Sequence, residues 1–173
     1  RIQELLAADP AISYEDMIAI CQNVAYHDAY GTYFKPFLQD AIHSSSEIPL
    51  DVKQALESWD CYLNNDDADD CYDDPGLTIF HAWYDAFYEN TLLDELTLFV
   101  KEYTHSLLLH ILQGDSSKLP LRYKHYLNDT VDAVIIDSLQ QALVRLETQY
   151  HTTNISLWLT PVDMVDFSEL GSL

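Results

Sequence analysis

Apolar residues recur along most of this chain at intervals of three and four, the period of an amphipathic helix. Ile2, Leu5 and Leu6 read as a short helix that stops before Pro10, because the residue preceding a proline is pushed out of helical conformation. Ser13 and Asp16 form a capping box with Asp in place of Glu. They open a helix whose Met17, Cys21, Val24 and Ala25 share one face, the one expected to be buried, with Asp28 on its rim and Gly31 breaking it. Phe34, Phe37, Leu38, Ala41 and Ile42 resume the period, and His43-Ser44-Ser45-Ser46 reads as a polar linker. Leu50-Asp51 then starts a helix carrying Val52, Ala55, Leu56 and Trp59.

After Pro75-Gly76 the pattern is the strongest in the chain. Phe80, Trp83, Tyr84, Phe87, Tyr88 and Thr91 repeat with Asp85 and Glu89 on the other side, which predicts a core helix with an aromatic face. A second run places Leu92, Leu96, Phe99, Val100, Tyr103, Leu107 and Ile111 on one face and ends at Gly114, a C-cap residue. The period is lost from Asp115 to Asn128, where Lys118, Arg122 and Lys124 form a basic cluster. It returns with Val131, Ile135, Leu139, Leu143, Leu146 and Tyr150. The expected fold is therefore all-α: an irregular multi-helix bundle, one domain or segment over residues 1–173, with an acidic loop at 60–75.

Composition narrows the function. With 173 residues and 48% hydrophobic content the chain can bury a real core. A net charge of −21 with only eight basic residues argues against nucleic acid as a partner, because phosphate contacts need clustered Lys and Arg. Anionic membrane surfaces are disfavoured on the same ground, and the longest apolar run, Leu107 to Leu112, is too short to span a bilayer. Cys21, Cys61 and Cys71 show no CxxC spacing. Free buried thiols are the favoured reading, with a Cys61–Cys71 disulfide across the acidic loop as the alternative. The chain begins at Arg1 without Met and shows no signal peptide, which fits a processed protein or a piece of a larger one.

Three constellations are chemically suggestive. The loop carries Asp60, Asp66, Asp67, Asp69, Asp70, Asp73 and Asp74, and dense carboxylate oxygens can hold calcium, which takes about six to eight oxygen ligands. The loop has no turn glycine before Gly76, so a solvated acidic surface is favoured, with Asp66, Asp67, Asp69, Asp70 and Asp73 as weak metal candidates. His27-Asp28 and His81 with Asp85 set an imidazole beside a carboxylate on a helix, a spacing that is commonly structural. Asp28 itself reads as a carboxylate bonded to a Tyr or a backbone N–H rather than as a catalytic acid. Asp40 with His43, and Glu102 with His105, each place a carboxylate three residues before a His, the arrangement of di-iron bundles. Nucleophilic catalysis finds no GxSxG and no Cys near a His in sequence, so no catalytic residue is assigned.

With the helices laid out, the sequence resembles the penicillin amidase family of N-terminal nucleophile hydrolases, in the helical part of the β chain. Three blocks carry the likeness. Arg1-Ile2 with Leu5-Leu6, then Ser13 to Asp16 and on to Phe37-Leu38, is similar to the family's opening of this segment. Leu56-Glu57-Ser58-Trp59-Asp60, Asn65-Asp66-Asp67, Pro75-Gly76 and Ile79 to Trp83 resemble its L-x-x-W-D-G block, acidic loop and P-G-x-x-I helix. Ser138-Leu139 to Tyr150, with Asn154 and Ser156-x-Trp158-x-Thr160-Pro161, resembles the stretch that leaves the helices for the core sheets. Cys61 stands where the family usually has Gly.

The resemblance implies a parent enzyme of αββα fold, bacterial and periplasmic or secreted, that cleaves an acyl group from an amine such as a penicillin. The family's defining residue, a Ser exposed as the first residue of the β chain, has no match here, so this portion is expected to be inactive alone. Its partners would be the remainder of the β chain and the α chain. No cofactor is required, with calcium conceivable in the parent enzyme. A helical slab separated from that parent is expected to expose an aromatic face, Tyr84 or Tyr88. A free-standing acidic interaction module and the di-iron bundle are the competing readings.

Overall fold

A computed structural model describes residues 1–65, 70–93, 104–117, 126–127 and 129–162. Among them are seven α-helices and no strand: α1 Ile2–Ala8, α2 Tyr14–Ala25, α3 Ala29–Ser44, α4 Leu50–Ser58, α5 Pro75–Tyr88, α6 His105–Gln113 and α7 Val131–Tyr150. The all-α reading holds.

Local sequence explains most of the helix ends. The capping box at α2 is complete, with Asp16 N–H 3.1 Å from Ser13 Oγ and Ser13 N–H 2.8 Å from Asp16 Oδ2. Asp28, Asp74 and Thr130 cap α3, α5 and α7 by accepting from Gly31, Gly76 and Ala133 N–H. Pro75 occupies the first turn of α5, where its missing N–H costs nothing. Gly114 ends α6 with φ 52°, a conformation glycine adopts without steric penalty.

Helix α5 is the centre of the core. Ile79, Phe80, Trp83, Ala86 and Phe87 have no exposure at all, and Tyr84 and Tyr88 are also buried. A helix apolar on nearly every side must be enclosed, and α7 and α4 are the helices that enclose it most extensively. Trp83 and Phe87 stack at 5.4 Å, and the Trp83 indole N–H donates to the Ile135 carbonyl of α7 at 3.2 Å. Past Tyr88 the helix continues as a π-turn, Glu89–Leu93.

Several expectations are corrected here. The long helix from Ser13 is not broken by Gly31: it stops at Ala25, and Gly31 lies in the first turn of α3. Met17, Cys21 and Ala25 are exposed rather than buried, and the partly covered side of α2 is the one carrying Ile20, Asn23 and Val24. Among the described residues the large aromatic side chains left in solvent are Tyr14, Tyr26, Tyr30 and Tyr33, whereas Tyr84 and Tyr88 lie inside. All three cysteines are free thiols, as the favoured reading had it, and the alternative Cys61–Cys71 bridge is absent; none is buried, however, Cys21 being exposed and Cys61 and Cys71 partly so. Positions 94–103 of the second amphipathic run, and the basic cluster Lys118, Arg122 and Lys124, lie outside the described residues.

Candidate functional site

Among the described residues, Asp28 and Lys35 meet at the turn Trp59-Asp60-Cys61. Trp59 ends α4 and is wholly buried, with its ring 5.0 Å from Phe80 and its indole N–H donating to Tyr62 O at 3.0 Å. Two glycines hold it. A Cβ on Gly31 of α3 would come 2.6 Å from the indole edge, and a Cβ on Gly76 of α5 would come 2.8 Å from Trp59 Cβ. Three helices therefore meet on one indole because two of them present no side chain there.

Lys35 crosses the same junction. Its Nζ donates to the Trp59 carbonyl and lies 5.7 Å from the Trp59 ring centre. A cation at the C-terminus of α4 answers both the unpaired carbonyls and the negative end of the helix dipole. Sequence reading passed over Lys35, although a signal was there. Gly31, Phe34, Lys35, Leu38, Ala41 and Ile42 form the buried arc of α3, so a lysine in an otherwise apolar arc had to find a partner inside.

On the other side of the turn Asp28 pairs with His81, at 2.6 Å between Oδ2 and Nε2, while its Oδ1 accepts from Gly31 N–H at 2.8 Å. The carboxylate is buried and the imidazole is half exposed. Neither imidazole–carboxylate pairing suggested by sequence proximity describes this contact, because the partners stand 53 residues apart. Burial raises the Asp28 pKa. The bonds from His81 and Gly31 outweigh that desolvation and hold the carboxyl below its ordinary value.

The sign of the resulting pH dependence follows from that shift. A carboxyl depressed in the folded chain contributes stability that is present above its unfolded pKa of about 4 and lost as pH falls through the lower folded value. Asp28→Asn retains a capping oxygen for Gly31 N–H but loses the charge-assisted bond to His81. It is expected to lower stability by about 1–2 kcal/mol at pH 7. The deficit should shrink towards zero below pH 4, and urea unfolding at several pH values measures it. A deficit independent of pH would contradict the assignment.

Cys61 has φ 65°, the left-handed region that favours glycine. The turn for which a glycine was expected is thus kept with a cysteine in it. Its backbone explains why: Asp28 N–H donates to Cys61 O at 2.8 Å and Leu63 N–H to Tyr26 O at 2.8 Å, an antiparallel bridge between 27 and 62 that fixes the turn. Cys61→Gly is expected to be more stable than Cys61→Ala by about 1 kcal/mol, since both lose the thiol and only Ala keeps a Cβ at positive φ. Equal thermal midpoints would show that the turn relaxes.

As reaction machinery the cluster is poor. Burial pushes the Cys61 thiol up, Asp28 and Asp60 push it further, and Lys35 opposes them without prevailing. A nucleophilic cysteine needs the opposite. The phenol of Tyr84, hydrogen-bonded to His105 Nδ1, is likewise pushed up by burial. Each polar group here secures a helix end or joins two helices.

The metal candidates divide. Asp66, Asp67 and Asp69 lie outside the described residues, and Asp70 and Asp73 are exposed. The main chain of the loop has a structural use: Asp73 N–H donates to Asn64 O, Tyr72 N–H to Thr160 O and Val162 N–H to Asp70 O, each at 2.9 Å. The first closes the loop on itself, and the other two stitch it to the extended stretch that follows α7. Asp40 and His43 are exposed on α3, His105 is bonded to Tyr84, and Glu102 falls outside the described residues. Among the described residues no three His, Cys, Asp or Glu side chains group as a metal site.

The stretch after α7 is also tied down. Trp158 is buried with its indole N–H donating to Thr152 O at 3.0 Å, and Thr160 and Thr78 share a hydroxyl bond of 2.8 Å. The Trp-Asp turn, the Pro-Gly helix start and the Trp-x-Thr-Pro exit are thus one packed unit.

The chain superimposes on a thermostable penicillin G acylase from Alcaligenes faecalis with a TM-score of 0.69 and 16% identity, covering 93% of this chain and 33% of the acylase chain. It therefore spans about a third of the length of that solved structure, and at this identity the likeness is one of fold. No curated protein sequence matches it. A model of the penicillin amidase family matches residues 1–171. Since that match takes in all three sequence blocks and the junction they build, the chain belongs to the penicillin amidase family.

Proposed function

We propose that this chain is the helical portion of a penicillin acylase-like amidohydrolase, an enzyme that hydrolyses the amide between an acyl group and an amine, and that its own task is structural. The observation that carries the reading is the family match over residues 1–171, together with a fold that accounts for a third of a penicillin G acylase. The state of the polar groups supports it: a raised Cys61 thiol, a raised Tyr84 phenol, an Asp28 engaged in capping and a Lys35 on helix carbonyls do not amount to an activated nucleophile. The nucleophile of the whole enzyme is an N-terminal Ser elsewhere in the polypeptide, with the rest of the β chain and the α chain as partners. The enzyme works in the bacterial periplasm or outside the cell.

The test uses a chromogenic phenylacetyl or longer acyl anilide. The full-length gene product is expected to release the amine, and replacement of its processing-site Ser to abolish release. Residues 1–173 alone are expected to release none above background. Hydrolysis by the isolated chain would place the chemistry within it and overturn the proposal.

A further inference from the structure

Helix α2 turns its apolar stripe away from its own protein. Tyr14, Met17, Ile18, Cys21 and Ala25 recur with helical period on one side, and all are exposed, Tyr14 by 76%, Met17 by 43% and Ile18 by 42%. Helix α1 extends the surface with Ile2 and Leu6, exposed by 51% and 38%. Neither helix contains a buried residue, although α2 is as amphipathic in sequence as the helices of the core. A continuous apolar stripe of this kind marks a contact.

Charge decides among the occupants. Residues 1–25 carry Glu4, Asp9, Glu15 and Asp16 against a single cation, Arg1, which is paired with Glu4 at 3.6 Å. A second copy of the chain would bring a net charge of −21 against another of −21, and an anionic membrane would repel the same rim. The solved acylase has two thirds of its chain outside the matched part, which supplies a large partner. On another side of α2 a groove of about 510 Å³ is lined by Asn23, the C-cap Tyr26, Tyr62, Tyr72 and Val162, so α2 borders the exit stretch as well.

We infer that the α1–α2 stripe is the seam on which the remaining acylase polypeptide packs, through an apolar strip bordered by Lys or Arg. The inference rests on the function proposed above. Cys21 lies in the stripe and reports on it directly.

In the native full-length protein, alkylation of Cys21, mapped by peptide mass, is expected to be at least about tenfold slower than alkylation of Val144→Cys, because a packed seam must open before it reacts. Val144 is 62% exposed on α7 and serves as the open-surface control. Ile18→Asp should destabilise the full-length protein, and Val144→Asp should not. Cys21 alkylated as fast as the control in a protein that still hydrolyses acyl amides would overturn the seam and leave the acylase reading standing. Protection in a protein that hydrolyses none would overturn the acylase reading, and protection lost on dilution would assign the stripe to a second copy and overturn the seam.

Discussion

Trp59→Ala is expected to lower the stability of the chain by about 3–5 kcal/mol, the range for emptying a fully buried aromatic site. The site cannot collapse easily, because the indole is the common contact of α3, α4 and α5. Gly31 and Gly76 have no side chains with which to fill the space, and Phe80 is held by its own neighbours Trp83 and Tyr84. The substitution also removes the indole N–H from Tyr62 O, within the turn that pairs with residue 27. Trp59→Phe keeps most of the apolar bulk and loses only that hydrogen bond and part of the contact, so it should cost clearly less. Urea unfolding followed by circular dichroism reads both variants. A loss below about 1 kcal/mol for Trp59→Ala would mean that the helices close on the cavity, contrary to the close-packed junction described.

Gly76→Ala is the second large effect, and its sign runs against helix propensity. Alanine normally stabilises a helical position relative to glycine by up to about 1 kcal/mol. Here a Cβ would press on the Ala55 carbonyl oxygen, 2.8 Å from Trp59 Cβ and 2.9 Å from Asp74 Oδ1. The first two obstacles belong to the body of α4 rather than to the end of a flexible side chain, so α4 and α5 must separate. Overpacking of this kind costs about 1–3 kcal/mol or more. The net expectation is a loss of about 2 kcal/mol. Gly114→Ala, by contrast, meets open space and suffers only its positive φ. A lower thermal midpoint for Gly76→Ala than for Gly114→Ala is the result that supports this contact as the tighter constraint.

The two effects share a cause that bears on the family likeness. The Trp-Asp and Pro-Gly blocks are separated by an acidic loop in sequence and meet at one point in space. Trp59 needs a neighbour without a Cβ, and Gly76 at the start of α5 is that neighbour. Asp74 caps α5 through Gly76 N–H, although burial pushes its carboxyl up, so the same glycine serves both the cap and the indole. The blocks describe a packing requirement, which is why they mark a supporting layer as well as they would mark a catalytic one.

Much of this was legible without coordinates. The aromatic period of α5, the apolar period of α7 and the capping box at Ser13 and Asp16 depend on interactions within one helix or one turn, and a linear sequence displays those directly; the caps at Asp74 and Thr130 came only with the structure. The blocks Leu56 to Asp60 and Pro75 to Trp83 were legible as a family likeness for the same reason.

What sequence spacing concealed were interactions between distant segments. Asp28 had a histidine beside it in sequence, yet its carboxylate found His81, because helix α3 begins at the point where α5 passes. Cys61 and Cys71 bracket one loop, yet each side of that loop pairs with a different part of the chain, Cys61 O with Asp28 N–H and residue 71 with Pro161. The apolar arc of α2 was plain in the sequence, but periodicity measures only how apolar a face is. Which body that face meets depends on packing, and α2 presents to its own protein the side carrying Ile20, Asn23 and Val24. Sequence by itself determined the all-α class, the aromatic helix α5, the capping box at Ser13 and the family. Tertiary structure alone decided which polar groups meet and which apolar face is left for a partner, because both depend on distances that the order of residues does not encode.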